Sequence, residues 1–272
     1  MASAFSSVYQ QGFSLFFELL YPGIQGKDQH RCKMCSVRNE NRASLGDIRE
    51  AEVDEMAGTY GKIFSLAKEN EPVPGCTVSG GLMPGVTVFS LGKGTDISAE
   101  RYPAESIQLM LAGRARLEYG LPGKLSIELG SGDAVIKEAG ADIGVRAPGD
   151  AVYVEIMSGK DDVMNSAVKA GEVFRLGELV PFREGRIVNM DVMSGPRMKF
   201  AVMAFDAGCA LPPHAAPGDA IVFALEGEGV IGYEGGEHVI KAGENFRFAK
   251  GDLHSVRADR RFKMALLLSI PE

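Results

Sequence analysis

The sequence predicts a mainly β protein: two tandem barrels behind a partly helical N-terminal extension. Three observations carry that prediction, namely an internal repeat, short runs of period-two alternation, and glycine-rich turns between the runs. The repeat is visible as "GKIFSL" at Gly61 to Leu66 against "GEVFRL" at Gly171 to Leu176. "YPAESIQLMLAG" from Tyr102 overlays "APGDAIVFALEG" from Ala216 at an offset of 114, matching Pro103 with Pro217 and Gly113 with Gly227. "GDAVIKEAGADIGVRA" from Gly132 overlays "GENFRFAKGDLHSVRA" from Gly243 at an offset of 111. The three-residue change falls in the hairpins "EYGLPGK" and "GYEGGEH", where surface turns absorb insertions and deletions.

Taken in order, the elements are an extension over 1–60, a first barrel over 61–158 and a second over 171–272. In the extension, "LGDIREAEVDEMAGTYGKIFSLAKE" (Leu45 to Glu69) has helical spacing of apolar residues after a Ser44 cap, which predicts a helix before the first barrel. "HRCKMC" places His30, Cys32 and Cys35 within one short stretch, a partial zinc or redox set, or simply two reduced thiols. Each barrel copy then alternates apolar and polar residues, as in "AIVFALEGEGVIGY" and "EHVIKAGENFRFA".

Composition bounds the function. A chain of 272 residues with 45% hydrophobic content is long enough for two cores. With 36 acidic against 29 basic residues and a net charge of −7, it offers no basic stripe for nucleic acid. The apolar run "FSLFFELL" (Phe13 to Leu20) contains Glu18 and is too short to span a membrane. Four cysteines do not make a secreted disulfide framework, so the expected setting is the cytoplasm. "GSGDAV" lacks the third glycine of a dinucleotide fingerprint, "GLPGKL" lacks the P-loop spacing, and no G-x-S-x-G nucleophile elbow occurs.

The spacing of the repeat resembles the cupin family, whose motifs are G-x5-H-x-H-x3,4-E-x6-G and G-x5-P-x-G-x2-H-x3-N. In the second copy Gly208, His214, Ala216, Ala220 and Gly227 meet the first spacing, and Gly243, Ala249, Gly251, His254 and Ala258 the second. In the first copy the same count gives Gly94, Glu100, Tyr102, Ser106 and Gly113, then Gly132, Glu138, Gly140, Ile143 and Ala147. The resemblance implies two double-stranded β-helix (jelly-roll) barrels. It also implies that two of four metal-ligand positions survive in the second, as His214 and His254, and that none of the histidines survives in the first.

Residues two apart in a strand share a face. The second pocket is therefore expected to hold His214 and His254 over Ala216, Ala220, Val222 and Val256. The first is expected to hold Glu100, Tyr102, Ser106 and Gln108, either gripping a small polar ligand or bonding among themselves. Two imidazoles hold a divalent ion (Zn, Ni, Fe or Mn) weakly, with water completing the shell, and Asp219 would join them only through a local bulge. The leading expectation is a bicupin that binds a small organic molecule, with a weak or open metal site in its second barrel. The alternatives are a metal-dependent oxygenase, isomerase or lyase using His214 and His254, and a non-catalytic assembly protein. A homodimer is expected, with neither nucleic acid nor membrane as partner.

Overall fold

Alternation becomes strand almost throughout residues 60–120 and 125–270, the part of the chain that the computed structural model describes. The first half contains β1 (Ile63–Phe64), β2 (Thr77–Met83), β3 (Val86–Leu91), β4 (Asp96–Arg101), β5 (Ser106–Tyr119), β6 (Leu125–Gly130), β7 (Asp133–Lys137), β8 (Asp142–Arg146), β9 (Ala151–Met157) and β10 (Val163–Met164). The second contains β11 (Val173–Arg175), β12 (Ile187–Ser194), β13 (Met198–Phe205), β14 (Ala210–Ala215), β15 (Asp219–Tyr233), β16 (Gly236–Lys241), β17 (Asn245–Phe248), β18 (Leu253–Arg257) and β19 (Phe262–Ser269). Together they make two tandem curled sheets, one per repeat copy, in the order β11-β7-β5-β9-β3-β2 and β1-β17-β15-β19-β13-β12-β10, with β4, β6 and β8 or β14, β16 and β18 attached beside these paths.

One long strand closes each barrel. β5 pairs with β7 and β9 through its first half and with β6 and β8 through its second, bending at a bulge between Met110 and Ala112. β15 does the same with β17, β19, β16 and β18, bending between Ala224 and Glu226. A bulge is the usual device for turning a strand from one face of a sandwich to the other.

Besides β10, which lies between the two copies and joins the second sheet through β12, strands cross the copy boundaries at two places. β1 belongs by sequence to the first copy but pairs with β17 of the second, Ile63 opposite Phe246. β11 belongs to the second copy but pairs with β7 of the first, Val173 opposite Val135. These exchanged strands are the echoed segments "GKIFSL" and "GEVFRL". β7 and β17 would otherwise present unpaired backbone along one side, and each exchanged strand covers that edge. Of the helix expected over Leu45 to Glu69, residues 45–59 lie outside the described residues, and the rest corrects its C-terminal end. Among its described residues, Ile63–Phe64 is strand and only Leu66–Glu69 (α1) is helical. Gly61 interrupts the helical pattern with φ of 71°, and the Tyr233 ring fills the space that a Cβ there would need.

Three cores result, sorted by strand alternation. Ile107 and Leu109 of β5 face Ile221 and Phe223 of β15 across a shared seam, joined by Leu66 and Leu176 behind the exchanged strands. Val135, Met110 and Tyr153 point into the first barrel, whereas Phe205, Phe246, Phe248 and Phe262 fill the second. No helix among the described residues is long and apolar enough to cross a membrane.

Candidate functional site

β14 and β18 run antiparallel and set His214 directly opposite His254, after a bulge between Leu211 and His214. The ring centroids are 4.4 Å apart at 54°. His214 is exposed at the barrel mouth, whereas His254 is buried and stacked on Phe248 at 3.9 Å. Each imidazole lies with Nδ1 against a main-chain carbonyl, His214 on Pro212 O at 2.9 Å and His254 on Asp252 O at 3.1 Å. A carbonyl only accepts, so Nδ1 is the donor in both rings, and the neutral form of each keeps its lone pair on Nε2. Burial pushes the His254 pKa below the usual imidazole range; the Asp252 carbonyl opposes this and His214 adds to it.

The floor under the histidines is apolar. Ala216, Ala220, Val222 and Val256 are all buried there, as the strand pattern predicts. Asp219 faces away: its carboxylate accepts from the Tyr60 hydroxyl at 2.8 Å and from Lys250 N at 2.9 Å. Asp252 is engaged by the Tyr233 hydroxyl. Among the described residues no cluster of three or more histidine, cysteine or acidic side chains is placed to hold a metal. Two imidazoles whose Nδ1 atoms are engaged offer an ion two Nε2 ligands, with water to complete its shell. They do not complete the three protein ligands usual in a catalytic centre.

The first barrel has another interior. Ser106 and Gln108 on β5 face inward, Ser106 opposite Lys137 of β7 and Gln108 opposite Glu155 of β9. Lys137 is wholly buried, and its Nζ donates to the Tyr102 hydroxyl at 2.8 Å and to Glu155 Oε1 at 3.3 Å. Ser106 Oγ donates to the same Oε1 at 2.8 Å, and the Tyr102 hydroxyl to Glu155 Oε2 at 3.4 Å. Nζ also lies 4.6 Å from the Tyr102 ring centroid. Tyr153, stacked on Phe89 at 4.9 Å, lines the same interior. Glu100 is half-buried on β4, and both it and Tyr119 stand opposite Ile143.

Burial dominates the electrostatics of this cluster. It lowers the Lys137 pKa, against the pull of the Glu155 charge and hydrogen bond. It raises Tyr102 far above the phenol range, with Glu155 adding to the shift, so the hydroxyl stays protonated. It also raises Glu100, where repulsion from Glu155 comes next and attraction to Lys137 opposes both.

Of the four polar residues expected in the first pocket, Tyr102 and Ser106 meet on Glu155, which Lys137 joins. Gln108 stands opposite Glu155 in register with its Nε2 on Met110 Sδ at 3.6 Å, and the Glu100 carboxylate forms no hydrogen bond with any described residue. The repeat carried a signal for Lys137 and Glu155. The overlay sets Lys137 of "DAVIK" against Phe248, and Glu155 is the lone charge within the apolar strand "AVYVEIM". His30, Cys32 and Cys35 lie outside the described residues, while Cys76 and Cys209 are half-buried free thiols. His238, in the hairpin of β15 and β16, is half-buried with its ring centroid 5.3 Å from that of Phe246. A cleft of about 460 Å³ on the seam, lined by residues including Arg175, Glu178, Glu226 and Lys263, contains none of the expected pocket residues.

Comparison with known proteins gives a consistent fold. Residues 201–270 match the family model described as "Cupin domain". No curated protein sequence matches the chain. A cupin 2 conserved barrel domain protein from Leptotrichia buccalis is 25% identical with a TM-score of 0.68, covering 78% of this chain and 98% of that one. A variant of salicylate 1,2-dioxygenase from Pseudoaminobacter salicylatoxidans is 10% identical with a TM-score of 0.50, covering 69% and 71% respectively. At that identity the dioxygenase likeness shows the fold alone.

Proposed function

We propose that this chain, a member of the cupin superfamily with two tandem barrels, is a small-molecule-binding protein whose ligand sits in the first barrel. The observation that carries this reading is the polar cluster of Lys137, Glu155, Tyr102 and Ser106 in a barrel interior that the second copy fills with phenylalanine. Gln108 Oε1 is buried beside it with no hydrogen-bond partner. An orphaned buried acceptor is costly, and a bound ligand or water satisfies it.

A ligand screen by thermal unfolding tests the proposal. A compound at a free concentration of one hundred times its Kd stabilises the native state by about 2.7 kcal/mol. That gain is expected to vanish in Tyr102→Phe, which keeps the ring and removes the hydroxyl, and to persist in His254→Ala. Stabilisation that survives Tyr102→Phe places the ligand elsewhere.

A second reading concerns the histidine pair. Because both Nδ1 atoms are held by carbonyls, both Nε2 atoms are available, and a divalent ion held weakly with water fits them. Metal analysis of untagged protein beside a His214→Ala/His254→Ala double variant decides the matter: equal metal in both removes this reading.

A further inference from the structure

The ligand class follows from the hydrogen-bond capacity left over in the first barrel, an argument that rests on the site proposed above. The donors are largely spent. Lys137 gives two N–H bonds, to Tyr102 and Glu155, Ser106 gives its hydroxyl to Glu155, and Tyr102 passes its proton toward Glu155 Oε2. One ammonium N–H, the second N–H of Gln108 Nε2 and the buried, unpartnered Tyr119 hydroxyl remain, Gln108 giving its other N–H to Met110 Sδ at 3.6 Å. The acceptors are less used. Glu100 makes no hydrogen bond or ion pair with any described residue, Gln108 Oε1 is fully buried and unpartnered, and Glu155 Oε2 accepts only one long bond.

The charges lean the same way. Two carboxylates, Glu100 and Glu155, share one ammonium, and Lys137 is committed to Glu155 at 3.3 Å. Glu100, half-buried, forms no ion pair with any described residue, and the attraction it feels from Lys137 is smaller than its repulsion from Glu155. Tyr119 stands opposite the same Ile143 as Glu100, and an aromatic ring favours a cation beside it, whereas the Tyr102 ring already carries the Lys137 ammonium at 4.6 Å.

We infer that the first barrel takes a small amine: a cation bearing N–H donors, whose ammonium group pairs with Glu100 and reaches Glu155 Oε2. An anionic acid would add a third carboxylate to the pair already present and bring acceptors where donors are needed. A neutral polyol would supply donors but leave Glu100 without a countercharge.

Isothermal calorimetry on the full chain with four probes tests this: ethanolamine, choline as a cation without N–H, erythritol as a neutral polyol, and malonate as an anion. Ethanolamine is expected to bind most tightly, with choline and erythritol weaker and malonate silent. Glu100→Gln is expected to weaken ethanolamine about tenfold or more, the size of a lost charge-assisted hydrogen bond. Malonate or erythritol binding as tightly as ethanolamine, and depending on Tyr102, overturns the amine assignment while the site stands. Failure of all four to show any dependence on Glu100 or Tyr102 overturns the assignment; if a broad screen also yields no Tyr102-dependent compound, the site falls with it.

Discussion

The two barrels solve the same backbone with opposite interiors. Strand register makes the equivalences exact: Ser106 pairs with Lys137 where Ala220 pairs with Phe248, and Gln108 pairs with Glu155 where Val222 pairs with Leu266. At the mouth the difference reverses. Ile143 stands in the first barrel where His254 stands in the second, while a tyrosine, Tyr119 or Tyr233, faces each of them. The second barrel spends its interior on packing and keeps its chemistry at the rim. The first keeps an ion pair at its centre, which a packing role alone would not require, because apolar residues of similar volume stabilise such a core as well or better.

That contrast can be broken most forcefully at Lys137. Lys137→Met leaves Glu155 buried without its cation and is expected to cost about 3–5 kcal/mol in urea unfolding. Adding Glu155→Leu, which copies Leu266 of the second barrel, is expected to recover most of that loss. A double variant no more stable than the single one would show that the charge imbalance is not what the first substitution damages.

The exchanged strands allow a smaller contrast. Gly61 and Gly171 occupy equivalent places with φ of 71° and 75°, so an alanine at either meets the left-handed penalty of about 1–2 kcal/mol. A Cβ at Gly61 would lie 2.6 Å from the Tyr233 ring, whereas none of the neighbouring atoms comes within 4 Å at Gly171. Gly61→Ala is therefore expected to destabilise more than Gly171→Ala, and equal losses would mean that the ring yields freely.

The smallest effect belongs to Glu100. Its folded pKa is raised, so the native state binds the proton more tightly than the unfolded chain does, and stability falls as pH rises from the ordinary carboxylate range through the raised value. Glu100→Gln is expected to stabilise the protein at pH 7 and to change nothing at pH 4. The gain stays below about 1 kcal/mol because water screens a half-exposed carboxylate. Thermal unfolding at the two pH values checks this. Lower stability of the variant at pH 7 would mark Glu100 as a structural residue rather than one retained for binding.

Much of this architecture is readable in the amino-acid order. The offsets of 114 and 111 already align Gly113 with Gly227 and Gly132 with Gly243, and period-two alternation separates Ile107 and Leu109 from Ser106 and Gln108. The histidine pair is equally legible, because the motif spacing sets His214 against His254. Lys137 and Glu155 are legible only through the overlay, which sets them against Phe248 and Leu266, since alternation alone does not say which face of β7 or β9 turns inward when a run is apolar on both. The exchange of β1 and β11 is hidden for a related reason. Two or three residues carry enough apolar character to be strands, but nothing local names the sheet they join. The extension misleads differently, because apolar spacing read across Gly61 continues a helix into residues that pair as strand.

The strand exchange has a consequence for how the duplication could diverge. Each repeat contributes the piece that finishes the other's sheet, so neither half of the gene encodes a self-sufficient cassette, and a chain cut between residues 158 and 171 would leave each fragment with an open edge. Bound together in this way, the copies share one fate in folding while remaining free to differ inside. A tightly packed second barrel can then carry a partner whose interior gives up stability to buried charge.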